Sequence, residues 1–306
     1  MGNGKAAVAF VAVLLASFVV MNVLPANDLP QACVQEAALA LVALAGAGFA
    51  VPGAFKRCTG NVQQRNTVWF ATITLLLVGF AGGAIALVTW SFVSTGPVVD
   101  PAFAPSSSSG AIARNLAMLL GICILTGVYE ESFLRVLGIE AFERAFERGE
   151  DSSTAPSSGG SAANRNSDGR TADLNDSRSG EVYSAATKRA ILVSTLLFAL
   201  LHVGAPDVTA GQQVLVQSAL KFAQALLFGT IMGVLYAQTR RLWPCALLHA
   251  GFDAFYLAPH VLLTGALPTT YASGTPGDTV LLTVTVILLA AVLVVMVKRQ
   301  QEIECQ

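Results

Sequence analysis

The sequence predicts an all-α polytopic integral membrane protein, a bundle of about eight transmembrane helices, and three observations carry that reading. Hydrophobic residues make up 54% of the 306-residue chain and charged residues only 12%, against about 25% charged in an ordinary soluble domain, which excludes a soluble globule. The apolar residues fall into runs near the length of about 20 residues that a bilayer-crossing helix needs, and mean hydropathy is +0.63. Basic residues sort into alternate connections between those runs, as Lys and Arg do on the cytoplasmic side of a membrane. The net charge of −1 leaves no basic surface for nucleic acid, so the lipid bilayer is the expected partner and nucleic acid is not.

The first run, 6–25, lacks a clean small-residue cleavage site before Asn27-Asp28 and reads as a span rather than a signal peptide. Further spans are expected at 37–55, 67–93, 111–139, 190–203, 214–237, 242–263 and 280–297. Fifteen of the eighteen basic residues lie at Lys5, in the 56–65 turn, between 144 and 189, at Arg240-Arg241 and at Lys298-Arg299. All of these fall on one side, and the opposite connections carry none, so both termini are expected in the cytoplasm. The five cysteines show no C-x-x-C spacing, hence neither a disulfide framework nor a thiolate zinc site is expected. No internal repeat supports a transporter built from two related halves.

This gives three segments: 1–110 with the first three spans, 111–263 as a core, and 264–306 with the last span and tail. Within the core, residues 150–182 are rich in Ser, Gly, Asp and Asn, with Leu174 the only large apolar residue over 151–180. That loop cannot bury a core and is expected to be disordered. Just before it, 140–148 alternates Ala-Phe pairs with Glu and Arg, the pattern of an amphipathic helix on the membrane surface or of a solvated continuation of the fourth span.

Ionisable groups inside spans are expensive and therefore mark candidate functional sites. The fourth span carries Glu130-Glu131-x-x-x-Arg135. Glu131 and Arg135 share a helix face four residues apart and can neutralise each other. Glu130, displaced by about 100° of helical rotation, must meet water, a proton or another helix. His202 ends the fifth span. The seventh holds His249, Asp253, Tyr256 and His260 on one stripe, which cannot face lipid; His260, near the outer end, reads as structural. Lys221 in the sixth span reads as snorkelling or as a hydrogen-bonding residue of the bundle interior, and Gly229 and Gly233 as sites of close helix approach. The fifth span is short: fourteen residues make about 21 Å of helix against a hydrocarbon core of about 30 Å. Either it starts above the membrane surface or water enters a thinned bilayer around the site.

In this order Glu130-Glu131-x-x-x-Arg135, Phe198-x-x-x-His202 and His249-x-x-x-Asp253 resemble the motifs of the CAAX prenyl endopeptidase type II family, which also contains bacteriocin-processing and immunity proteins. The resemblance covers about 125–255. It implies a helical-bundle protease whose cavity opens to the cytosol, with Glu130 as the general base activating water, aided by His202, and His249 with the residue at Asp253 stabilising an oxyanion. Glu131 and Arg135 complete the first motif. The family's third motif ends in asparagine or aspartate, and its best-studied members have asparagine there, whereas an ionised aspartate can only accept hydrogen bonds; Asp253 is left either to orient His249 or to bind a metal.

The resulting expectation is an intramembrane endopeptidase acting on a peptide or protein with a membrane-associated segment, and requiring no cofactor. One alternative is a zinc enzyme using Glu130, His202, His249 and Asp253, all acceptable ligands. Two others are a non-catalytic immunity or scaffold protein using the same polar cluster and, on weaker grounds, a proton-coupled transporter.

Overall fold

The computed structural model describes residues 4–56, 62–94, 109–153, 183–203, 211–264, 272 and 274–304, and among them it contains helices and no strand. In chain order these are α1 (Lys5–Val23), α2 (Leu29–Ala50), a 3₁₀ turn (Pro52–Phe55), α3 (Val62–Ser94) and α4 (Ser109–Glu130). A π-helical segment (Glu131–Ile139) follows, and then α5 (Glu140–Ser153), α6 (Ala185–Val203), α7 (Gln212–Thr239), α8 (Leu242–Thr264) and α9 (Pro276–Glu304). Seven of the helices are long and apolar enough to cross a membrane. The expected span that falls short by this measure is α8: His249, Asp253, His260 and Pro259 interrupt its apolar run. This helix carries two of the motif residues, His249 and Asp253.

Two element boundaries differ from expectation. The second span begins at Leu29 rather than 37, because Asp28 caps the helix by accepting a hydrogen bond from the Gln31 backbone N–H at 2.8 Å and Pro30 sits in its first turn, both strong start signals. It ends at Ala50, and Pro52 opens the 3₁₀ turn. The fifth span begins at Ala185 and is 19 residues long, about 28 Å at 1.5 Å per residue, so most of its apparent shortness disappears. The expected start follows the basic pair Lys188-Arg189, and the helix runs through that pair, with Ala186 and Thr187 buried. The stretch 140–148 is helical and continuous with α4 through the π segment, and α5 reaches Ser153, into the loop expected to be disordered; residues 154–182 of that loop lie outside the described residues.

The bundle is built by successive pairings. α2 packs on α4, α4 on α8, α8 on α3, α3 on α9, α9 on α7 and α7 on α6. α1 and α2 from the first sequence segment and α4 to α8 from the second enclose the π segment, whose nine residues are all buried. Outward-facing side chains are large and apolar, for example Phe18, Leu41, Trp69, Leu77 and Ile287, as lipid contact requires. α4 and α8 approach closely at Gly127, where a Cβ would lie 2.5 Å from the Ala246 carbonyl oxygen. Only glycine allows that contact, and it brings Glu130 and His249 onto facing turns.

Candidate active site

The site grows from the change of helical pitch at Glu131. In a π-helix, backbone bonding skips to i→i+5 and widens the turn, a local distortion frequent at functional sites. Here it lets consecutive acids reach one imidazole. Glu131 Oε1 accepts a hydrogen bond from His249 Nδ1 at 2.9 Å, and Glu130 Oε2 lies 3.5 Å from His249 Nε2. Glu130, expected about 100° round from the Glu131–Arg135 pair and so facing water, a proton or another helix, meets other helices, at His202 of α6 and His249 of α8.

Glu131 and Arg135 do form an ion pair, Oε2 to Nε at 3.5 Å with both side chains fully buried. The guanidinium also donates from Nη1 to the Ser194 hydroxyl at 3.3 Å and lies 4.6 Å from the centre of the Phe198 ring. Ser194 in turn donates to the Leu134 carbonyl at 2.6 Å, tying α6 to the π segment. Gly229 of α7 faces the same place: a Cβ there would come within 3.2–3.3 Å of Phe198, Thr195 and Arg135. This is the close approach expected of Gly229; Gly233 plays the same part against Ile191.

His202 Nδ1 donates to the Phe198 carbonyl one turn back, at 2.9 Å. With its proton there, the ring turns the Nε2 lone pair toward Glu130 Oε2, 3.7 Å away. Glu130 Oε2 thus stands between two imidazole nitrogens, beyond direct hydrogen-bond distance of both, and has no hydrogen-bond partner among the described residues. A gap of this kind suits a bridging water. Phe198 and Phe228 wall the imidazoles: Phe198 lies 4.1 Å from His202, and Phe228 meets His249 edge-on at 4.8 Å.

Asp253 Oδ2 lies 3.4 Å from His249 Nε2. It meets the nitrogen that faces Glu130, so the orienting contact on Nδ1 belongs to Glu131 rather than to Asp253. Among the described residues no three His, Cys, Asp or Glu side chains converge as a ligand set for a metal ion.

Lys221, read from sequence as snorkelling or structural, faces this cluster. Its Nζ donates to Gln224 Oε1 at 3.0 Å, and it interacts electrostatically with Asp253, Glu130 and His202. Gln224 donates to the hydroxyls of Tyr256 and Thr285 at 3.0 and 2.8 Å, which ties α7, α8 and α9 together in one polar layer. His260 interacts with Asp278 of α9 instead. One residue escaped the sequence reading altogether: Glu36, excluded because the second span was drawn from 37, is an intramembrane acid of α2 that hydrogen-bonds Thr126 of α4. The signal available was the Asp28-x-Pro30 helix start.

Phe133, Leu137, Ile231, Met232, Leu235 and Tyr236 are buried, and the Tyr236 hydroxyl donates to Glu140 of α5 at 3.3 Å. Beyond them Arg240, in the left-handed conformation that ends α7, donates to Glu140 at 2.9 Å and to Glu143 at 2.6 and 2.8 Å. Thr187 donates to Glu143 as well. The side chains of Glu130, His202 and Asp253 keep 17%, 27% and 23% of their exposure.

An all-helical membrane bundle with a glutamate and two histidines gathered from α4, α6 and α8 defines the class. Residues 112–255, which hold all of the motif residues, match the family described as Type II CAAX prenyl endopeptidase Rce1-like. No curated protein and no solved structure matches the chain.

Proposed function

We propose that the protein is an intramembrane endopeptidase of the CAAX type that hydrolyses a peptide bond with a water activated by Glu130 and His202. The observation that carries this reading is the unpartnered Glu130 Oε2 held 3.5 and 3.7 Å from two imidazole nitrogens. Glu130 takes a proton from the water while the His202 Nε2 lone pair accepts the other, which orients the oxygen for attack. His249, polarised by Glu131 at Nδ1, presents Nε2–H to the developing oxyanion. A donor of this type is worth about 10²–10³ in rate in a site without bulk water. Asp253 balances the charge of that imidazole and donates nothing. The substrate is a peptide or protein with a membrane-associated segment. Both termini and α5 lie in the cytoplasm on this reading, in accord with the distribution of Lys and Arg.

The test is mass spectrometry of membrane peptides in strains carrying the wild-type chain, Glu130→Gln or a deletion. Peptides that accumulate equally in the variant and the deletion, and not in wild type, support hydrolysis. A Glu130→Gln strain indistinguishable from wild type supports the alternative, a non-catalytic immunity or scaffold protein.

A further inference from the structure

The polar stripe of α7, Gln217, Lys221 and Gln224, takes no part in the chemistry proposed above, and Lys221 is turned the wrong way for a residue that only escapes lipid. It stands nine residues from the start of α7 at Gln212 and nineteen from Arg240, about 14 and 28 Å of helix. A snorkelling lysine reaches for the nearer end, and helical side chains lean toward the N-terminus in any case. Its Nζ instead donates to Gln224 Oε1, one turn deeper, at 3.0 Å, and lies 5.9 Å from the centre of the Tyr256 ring. The neighbours hold it there. Gln224 is fixed by its bonds to the Tyr256 and Thr285 hydroxyls. Gln217, on the outer side, is fully buried and spends its amide on Thr275, Thr279 and Gly274.

An ammonium carries three N–H donors, and only one of those on Lys221 has an acceptor among the described residues. No carboxylate among them lies within 4.0 Å of it. Lys221 keeps part of its surface exposed, as Glu130, His202 and Asp253 do. A cation drawn inward, held in place and left without a counter-charge is costly by itself and is completed by an anion from a ligand.

The register of α7 against α8 sets where that anion lies. Phe228 meets His249 at 4.8 Å and Lys221 meets Tyr256 at 5.9 Å. The two contacts are seven residues apart on each helix, about 10.5 Å. An extended chain rises about 3.3 Å per residue, so a group bound at Lys221 is about three residues from a bond placed at His249. Glu130, Glu131 and Asp253 surround His249 and repel a carboxylate from that end, which leaves the Lys221 end to receive it.

We propose that Lys221 determines specificity by binding a carboxylate of the substrate, about three residues from the bond that is cut. This rests on the hydrolase reading above. Lys221 makes the same charge-assisted bond to a terminal carboxylate or to an acidic side chain, and the test separates the two.

Three labelled S-farnesyl peptides share one Cys-aliphatic-aliphatic-X sequence: one with a free terminal carboxylate, one amidated there, and one amidated with Asp at X. Their binding to the full chain in nanodiscs is read by fluorescence anisotropy in a Glu130→Gln background, and their cleavage with Glu130 in place. At least one carboxylate peptide binds about tenfold to a hundredfold more tightly than the plain amide; the first identifies a terminal carboxylate as the ligand, the third an acidic side chain. Lys221→Met removes that gap and Lys221→Arg keeps it, with the same gap seen in KM for cleavage. Lys221→Gln replaces the Met variant if the latter does not fold. Three peptides that bind alike, or a gap that survives in a folded Lys221→Met or Lys221→Gln chain, overturn the proposal. A chain with Glu130 in place that shows the gap in binding but cuts none of the peptides overturns the hydrolase reading alone.

Discussion

Glu131 performs two tasks that a pair of substitutions can separate. It neutralises Arg135, with both side chains fully buried and 3.5 Å apart, and it holds His249 Nδ1 at 2.9 Å. Glu131→Gln keeps the shape and an acceptor for the imidazole but removes the charge. Arg135 is then a buried guanidinium with no carboxylate, and breaking such a pair from one side costs about 3–5 kcal/mol. The remaining contacts, to Ser194 and the Phe198 ring, return about 1–2 kcal/mol at best. The net loss of about 1–4 kcal/mol is a drop of several degrees in the midpoint of thermal unfolding for a chain of this size. In the double variant Glu131→Gln/Arg135→Met both charges are gone, and replacing a buried pair by apolar groups is often neutral. The midpoint should therefore return most of the way. Cleavage should not return, because His249 still lacks the carboxylate that polarises it. Detergent-solubilised protein followed by intrinsic fluorescence on heating gives the first quantity, and peptide cleavage gives the second. A Glu131→Gln variant that melts like wild type would refute the paired-charge account. A double variant that regains full activity would show that Glu131 acts only through Arg135.

Three further outcomes follow from the packing. Gly229→Val places its Cβ within 3.2–3.3 Å of Phe198, Thr195 and Arg135 and adds two methyl groups beyond it; overpacking of this kind costs about 1–3 kcal/mol and shifts the Phe198 wall of the site, so both the melting midpoint and the cleavage rate should fall. Arg240→Gln removes charge-assisted bonds to Glu140 and Glu143, but Arg240 is 39% exposed, so screening limits the loss to about 1–2 kcal/mol, seen as a lower midpoint with kcat unchanged. In a chain freed of its own cysteines, a maleimide that cannot cross membranes, added to intact cells, should label Asn27→Cys and spare Glu147→Cys, both positions being exposed; the reverse pattern would invert the orientation.

Much of the site was legible because charge inside an apolar run is conspicuous. Glu130, Glu131, Arg135, His202, His249 and Asp253 stand out in segments otherwise made of Leu, Val, Ala and Phe, and the structure gathers all six. What escaped depends on geometry that composition does not encode. The π-helical pitch over Glu131–Ile139 has no residue signature here, so the approach of both adjacent acids to His249 could not be read from spacing. Glu36 was lost to a boundary error, since a polar first turn with Gln31, Gln35 and Glu36 looks like a loop until the Asp28 cap is weighed. Lys221 has a long flexible stem, and which way such a chain turns is decided by Gln224 and Tyr256 on neighbouring faces, partners that spacing alone does not reveal.

The central claim is that Glu130 and His202, from different helices, act on one water. The measurement that tests it most directly is a double-mutant cycle in kcat/KM for Glu130→Gln, His202→Ala and the two together, on a peptide the wild-type chain cleaves. Residues that work as a unit are strongly non-additive. The account predicts that each single variant falls to about the same floor as the double. Losses that multiply, with the double variant lower by the product of the two single effects, would contradict it.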